Sequence, residues 1–157
     1  MGDIKSVLFV CAGNSCRSVM AEGLLKKRLK ELGKTGIAVR SAGIIALDGY
    51  PPTSETVEVM KAEGVDLAGF KSAGITNEAI KDSDLILTMS EAHKSEILRR
   101  VPAAASKTNL LREYGRSAPL EKFIDAEIPD PIGMPVPVYK VCLDIIKEDI
   151  GRVAKIL

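Results

Sequence analysis

Lys5 to Val10 is a compact apolar run rich in Val, Leu and Phe, and it passes straight into Cys11-Ala12-Gly13-Asn14-Ser15-Cys16-Arg17-Ser18. Beyond that polar stretch, Val19, Met20, Leu24, Leu25 and Leu29 recur at helical spacing. A short continuous apolar run is the pattern of a strand buried on both faces, so the change of period reads as strand, loop, helix. Gly33 and Gly36 stop the helix, and Ile37 to Arg40 reads as a second strand, which completes a βαβ unit. Two strands joined by a helix must run parallel, and a parallel sheet needs cover on both faces.

The remaining elements repeat the alternation. Ser54 is expected to cap a helix through Val57, Val59, Met60 and Ala62 that ends at Gly64, and Thr76 opens a shorter one. Asp84 to Met89 reads as the third strand, Ser90 as the cap of a helix through Ile97 and Leu98, Lys107 to Leu111 as the fourth strand, and Val138 to Leu157 as a closing helix. Between the last two, Ile128 to Pro137 carries four prolines and reads as a stiff surface loop of functional length. The expectation is an α/β fold of three layers, α/β/α, with a four-stranded parallel sheet and its ligand site outside the carboxyl ends of the strands.

At 157 residues, 46% hydrophobic and 27% charged, the chain has the length of one domain (1–157) and enough apolar side chain for a packed core. Its formal charge of +1 comes from interspersed charges, which leaves no basic face for nucleic acid. The apolar run Val7 to Ala12 is far short of the roughly 20 residues a membrane span needs, so no membrane partner is expected. Met1 to Ser6 fits a loose myristoylation pattern, but a strand begins at once and acylation is not expected. Three cysteines cannot close a disulfide framework, and an odd count suits the cytoplasm.

A loop between a first strand and a first helix turns successive N–H groups, and the positive end of the helix, into one concavity that fits a phosphate-sized oxyanion. Gly13 and Asn14 tolerate the left-handed torsions such a curl requires. Cys11 stands at its base, where the same field favours thiolate over thiol and makes a nucleophile. Arg17, six positions on, offers a planar fork of donors to the oxygens of a phosphoryl group. The C-x5-R spacing alone is not specific; its place between strand and helix is what gives it weight. A phosphate ester also needs a proton donor for its leaving oxygen, and Asp130, between Pro129 and Pro131, is the candidate, held out on a stiff loop and expected to be partly desolvated. A Walker loop is excluded, because Arg28 stands where Gly33-Lys34-Thr35 would need its first glycine. His93 reads as a surface or edge residue, Tyr139 and Cys142 as core or groove positions of the last helix, and Arg99-Arg100 as a solvated helix end. Nothing has metal-ligand spacing, so neither a metal nor another cofactor is expected.

With Cys11 to Ser18 and Asp130-Pro131 in view, the chain resembles the low-molecular-weight protein tyrosine phosphatases over nearly its whole length. The resemblance also rests on Ser41-Ala42-Gly43 after the second strand, and on Leu87-Thr88-Met89 ending the third. It implies a two-step mechanism without metal, in which Cys11 accepts the phosphoryl group, Arg17 and the amides of residues 12 to 18 hold it, and Asp130 acts as acid and then as base. It further implies that Ser18 donates to the Cys11 thiolate, that Asn14 and Ser41 brace the loop, that Cys16 is a redox partner of Cys11, and that the substrates are phosphorylated proteins.

Three departures from the family pattern bear on substrate. Phe70 and its neighbours stand where many members carry a histidine that supports Asn14. Ser15, normally bulky and aliphatic in tyrosine-directed members, is similar to the threonine of bacterial protein-arginine phosphatases. Ile132 replaces an aromatic residue after Asp-Pro, leaving Ser15, Tyr50 and Ile132 as the candidate cleft residues. Phosphotyrosine is the expected substrate and phosphoarginine the alternative. A thiol-coupled arsenate reductase on this scaffold would need relay cysteines, but none lies between Cys16 and Cys142. A phosphate-binding module without turnover would have no use for Cys11 together with Asp130.

Overall fold

The computed structural model describes residues 2–122 and 124–157. In chain order the elements are β1 (Ser6–Cys11), α1 (Arg17–Glu31), β2 (Ala38–Gly43), α2 (Ser54–Ala62), α3 (Asn77–Asp82), β3 (Leu85–Thr88), α4 (Glu91–Arg100), a 3-10 stretch (Pro102–Lys107), β4 (Thr108–Leu110) and α5 (Val136–Ile156). Four parallel strands lie in the order β2-β1-β3-β4. The alternating elements are as expected, and so is the parallel sheet.

Successive side chains of β1 point to opposite faces, and the burial divides accordingly. Val7, Phe9 and Cys11 enter a core shared with α1, α2 and α5, whereas Leu8 and Val10 enter a second core with Ile80 and Ile97 of α3 and α4. Helices thus cover both faces, and the unbroken apolar run of β1 is explained by its central place in the sheet. The chain leaves β1 for β2 on one side and reaches β3 on the other, so the strand order reverses at β1. A crevice opens outside the carboxyl ends at such a point, and Cys11 is the last residue of β1.

Boundaries differ from the expected ones for local reasons. β2 runs on to Gly43 because register with β1, Cys11 opposite Gly43, holds Ser41-Ala42-Gly43 extended despite poor strand propensity. The cap of α2 is Thr53 rather than Ser54: Thr53 is extended behind Pro51-Pro52 and its hydroxyl accepts from Thr56 N at 3.2 Å. α5 starts at Val136, two residues early, since Pro137 fits the first helical turn, where its missing N–H is not needed.

Candidate active site

The Cys11–Ser18 loop curls at one non-glycine residue of positive φ, Asn14, at 51°. Gly13, expected to share that conformation, does not adopt it. Asn14 is completely buried and its amide is fully used. Its Oδ1 accepts from Ala73 N at 2.9 Å, and because a backbone N–H can only donate, this contact fixes which way the amide faces. Asn14 Nδ2 then donates to Ser18 Oγ at 2.8 Å and to Ser41 Oγ at 2.9 Å. Ser41 in turn donates to Glu22 Oε1 at 2.7 Å. With Ser18 Oγ accepting from Asn14, its own proton is directed at Cys11 Sγ, 2.9 Å away. Asn14 N adds a second donor to that sulfur at 3.3 Å. A relay of polar contacts therefore runs from Glu22 to the thiol and delivers two hydrogen-bond donors to sulfur.

The loop is also anchored from β2. Ile44 N and Ile45 N donate to Cys11 O and Ala12 O at 2.9 and 3.0 Å. A Cβ on Gly43 would lie 2.6 Å from Ala12 O and 2.8 Å from Asn14 N, so only glycine lets the strand end abut the loop. Thr53 N and Thr56 Oγ1 donate to the Ser15 carbonyl at 3.2 and 3.1 Å. Among the described residues, the amides of Gly13, Ser15 and Cys16 are given to no other group, and the first turn of α1 carries no acidic side chain. The N-terminal charge of that helix is thus left for an anion.

Arg17, 6% exposed, donates from Nη1 to Ile128 O at 2.8 Å and places Nη2 3.4 Å from Asp130 Oδ2. Asp130 sits in a tight turn in which its Oδ1 accepts from Ile132 N at 3.1 Å. Its side chain is 41% exposed and lies against a guanidinium, so the expected desolvation is absent from this arrangement. The segment bearing it is tied to the sheet by Ile128 N donating to Met89 O, and to α5 by the Cys142 thiol donating to Pro129 O at 3.2 Å. Burial pushes the Cys142 thiol up and keeps it protonated as a donor.

The structure joins Cys11 with Asn14, Ser18 and Ser41 in one hydrogen-bonded set and sets Asp130 against Arg17 of the same loop. Cys16 is buried beside Tyr139 Oη at 3.6 Å and Thr53 Oγ1 at 3.7 Å, and burial raises Tyr139 to about 12. Tyr50 and Ile132 are 59% and 54% exposed on the loops after β2 and before α5, and Ser15 is half-buried. Support for Asn14 comes from the Ala73 backbone, while Phe70 packs against the core. His93 corrects the sequence reading: it is 7% exposed, because α4 lies against the segment before Asp130, where the Glu127 carboxylate accepts from Glu91 N at 2.7 Å. Burial, then the Arg17 charge, lowers His93 to about 4. Arg100 is likewise partly covered, donating to Glu96 and to Ile75 O. Among the described residues no cluster of His, Cys, Asp or Glu could hold a metal ion, and no helix is long and apolar enough to cross a membrane. Glu22, Ala73, Ile128 and Cys142 are residues around the loop that sequence reasoning gave no part in the site, and Gly43 was noted only as a letter of the Ser41-Ala42-Gly43 motif. Cys142 was read only as a core or groove position, and Glu22, an acid on the first helix, also had a side chain that could have drawn notice.

The family model for low molecular weight phosphotyrosine protein phosphatase matches residues 6–157. A probable low molecular weight protein-tyrosine-phosphatase, EpsP, of Ralstonia nicotianae is 37% identical over 147 residues, covering 94% of this chain and 92% of the relative. A protein-arginine-phosphatase of Geobacillus stearothermophilus is 35% identical over 149 residues, covering 95% and 93%. In three dimensions the chain is similar to a mutant of the YwlE arginine phosphatase that carries a phosphorylated active-site serine, with a TM-score of 0.87, 31% identity and coverage of 97% and 95%.

Proposed function

The chain belongs to the low molecular weight phosphotyrosine protein phosphatase family, and from that premise we propose that it hydrolyses protein phosphotyrosine through a phosphocysteine formed on Cys11. The observation that carries this reading is the Cys11 sulfur, seated at the base of an amide-lined loop with donors at 2.9 and 3.3 Å, in a loop whose Arg17 pairs with Asp130. An incoming phosphoester draws Arg17 Nη2 from Asp130 and is held by the guanidinium and the loop amides. The sulfur attacks phosphorus in line, the P–O bond to the side chain breaks, and Asp130 delivers a proton to the leaving oxygen. Asp130 then takes a proton from water, which attacks the phosphocysteine and frees inorganic phosphate. Ser18 and Asn14 steady the thiolate before attack and as it leaves. The phosphorylated serine of the YwlE neighbour supports covalent transfer to the loop nucleophile.

With p-nitrophenyl phosphate, Cys11→Ser is expected to show no turnover and Asp130→Ala to be slower by about 10²- to 10⁴-fold. A Cys11→Ser enzyme of full activity would falsify the proposal.

Phosphoarginine is the second reading, favoured by Ser15, a small polar half-buried residue of the loop, and by an exposed Ile132 that offers no flat wall for a phenol ring. The ratio of kcat/KM on matched phosphotyrosine and phosphoarginine peptides decides between them, with Ser15→Ile expected to move it toward phosphotyrosine. Three unpaired thiols support a reducing, cytoplasmic setting. We assign Cys16 as the thiol that captures peroxide-oxidised Cys11 as a disulfide. Recovery of activity by dithiothreitol after peroxide treatment should then be lost in Cys16→Ala.

A further inference from the structure

A cavity of about 720 Å³ lies against the edge strand β2, between the middle of α1 and the loop that follows α2. Its volume falls in the range of small-molecule sites, roughly 300 to 1,000 Å³. No residue of the Cys11–Ser18 loop lines it, and its link to that loop is through Glu22 and Ser41, which lie on its wall. Its α1 lysines, Lys26, Lys27 and Lys30, follow Arg17 by 9 to 13 residues, which at about 1.5 Å per residue sets them roughly 14 to 20 Å down the helix.

Five cationic side chains line the cavity against two carboxylates, in a chain whose formal charge is only +1. Lys26 pairs with Glu22 at 2.8 Å, and Lys27 donates to Glu63 O. Lys30, Arg40 and Lys71 have no carboxylate within ion-pair distance among the described residues. They stand on three separate pieces of chain: a helix, an edge strand and a loop. All three are exposed at the cavity, and because they come from separate segments their sharing it is not the product of one charged run of sequence. Val65, Leu67 and Phe70 give the cavity an apolar wall as well. Like charges converging on one concavity repel one another, and an anion placed among them relieves that repulsion.

We propose that this cavity is a second anion site, which takes a small molecule bearing two or more clustered phosphate groups on Lys30, Arg40 and Lys71. A cavity of this size has room for a di- or triphosphate chain, whose several charges match three unpaired cations better than one phosphate does.

The test keeps the Cys11 loop out of the measurement by alkylating Cys11 with iodoacetate and titrating the full-length protein calorimetrically with inorganic tripolyphosphate and, separately, with ATP. The expected result is one molecule bound per alkylated chain, with affinity falling as salt rises. Lys30→Glu with Arg40→Glu, and Lys71→Glu alone, are expected to weaken binding by about tenfold or more while leaving p-nitrophenyl phosphate turnover unchanged. Equal affinity for the two probes means that the phosphates alone are read. Tighter ATP binding that falls to the tripolyphosphate value in Phe70→Ala means that the apolar wall holds the base. Either result supports the site. Absence of binding to the alkylated protein overturns the proposal, as does binding that the charge reversals leave untouched, or capture of a multiply phosphorylated peptide with neither small molecule bound.

Discussion

Asn14 uses every hydrogen-bonding group of its amide on three partners from three parts of the chain, and it does so from a left-handed backbone conformation. Asn14→Asp retains the acceptor for Ala73 N but loses both donors, leaves Ser18 and Ser41 without them, and adds a charge beside the sulfur. Such an enzyme is expected to fold and to lose about 100-fold in kcat/KM, read by steady-state kinetics beside a urea unfolding curve. His93 carries a different expectation. Held at about 4 in the folded protein against an ordinary 6.5, it stays neutral where the unfolded chain takes up a proton. Stability contributed by this group is therefore present above pH 6.5 and is lost as pH falls toward 4, by up to about 3 kcal/mol. The charged neighbours that act on it are Arg17, Glu127 and Asp130. Urea midpoints measured between pH 7 and 4 should fall more steeply in the parent than in His93→Gln. Cys11, Arg17, Ser18 and Asp130 were legible as letters because the chemistry proposed for them resides in their side chains. Ala73 and Ile128 were not, since each contributes a backbone group that any residue would supply.

At the scale of elements, β1 and α1 could be read directly, because burial on two faces and then on one writes two different periods into consecutive residues. β2 and α5 were misjudged at their ends, where a partner strand or a tolerated proline overrides local preference. The clamp between α5 and the turn after β4 was invisible in sequence. Asp149, 1% exposed, meets Arg152 at 2.9 Å, Arg116 at 3.3 Å and Arg112 at 3.5 Å, residues spread across 41 positions. Burial pushes its carboxyl up against the pull of the three guanidinium groups. Removing one member of such a buried cluster strands the other charges, so Asp149→Asn is expected to cost about 3 to 5 kcal/mol in urea unfolding. Its KM for p-nitrophenyl phosphate at low temperature should stay unchanged, since the clamp makes no contact with the Cys11–Ser18 loop.

Over the whole molecule, the order β2-β1-β3-β4 brings residues far apart in sequence to one end of the sheet, and a ligand there binds only the folded chain. Inorganic phosphate at about 100 times its Kd adds roughly 2.7 kcal/mol of stability, or about 5 to 10 °C in Tm for a chain of this length. Thermal unfolding with and without phosphate should show that rise in the parent and lose it in Arg17→Ala. Connectivity was inferred from alternation alone. The pairing of cavity and edge strand was not, because it depends on where the loop after α2 comes to rest. The contact of Arg17 with Ile128 O spans 111 residues and ties the first helix to the segment that carries Asp130. Any change that pulls the Ile128 segment away from α1 therefore disturbs the guanidinium and the carboxylate facing it in one stroke.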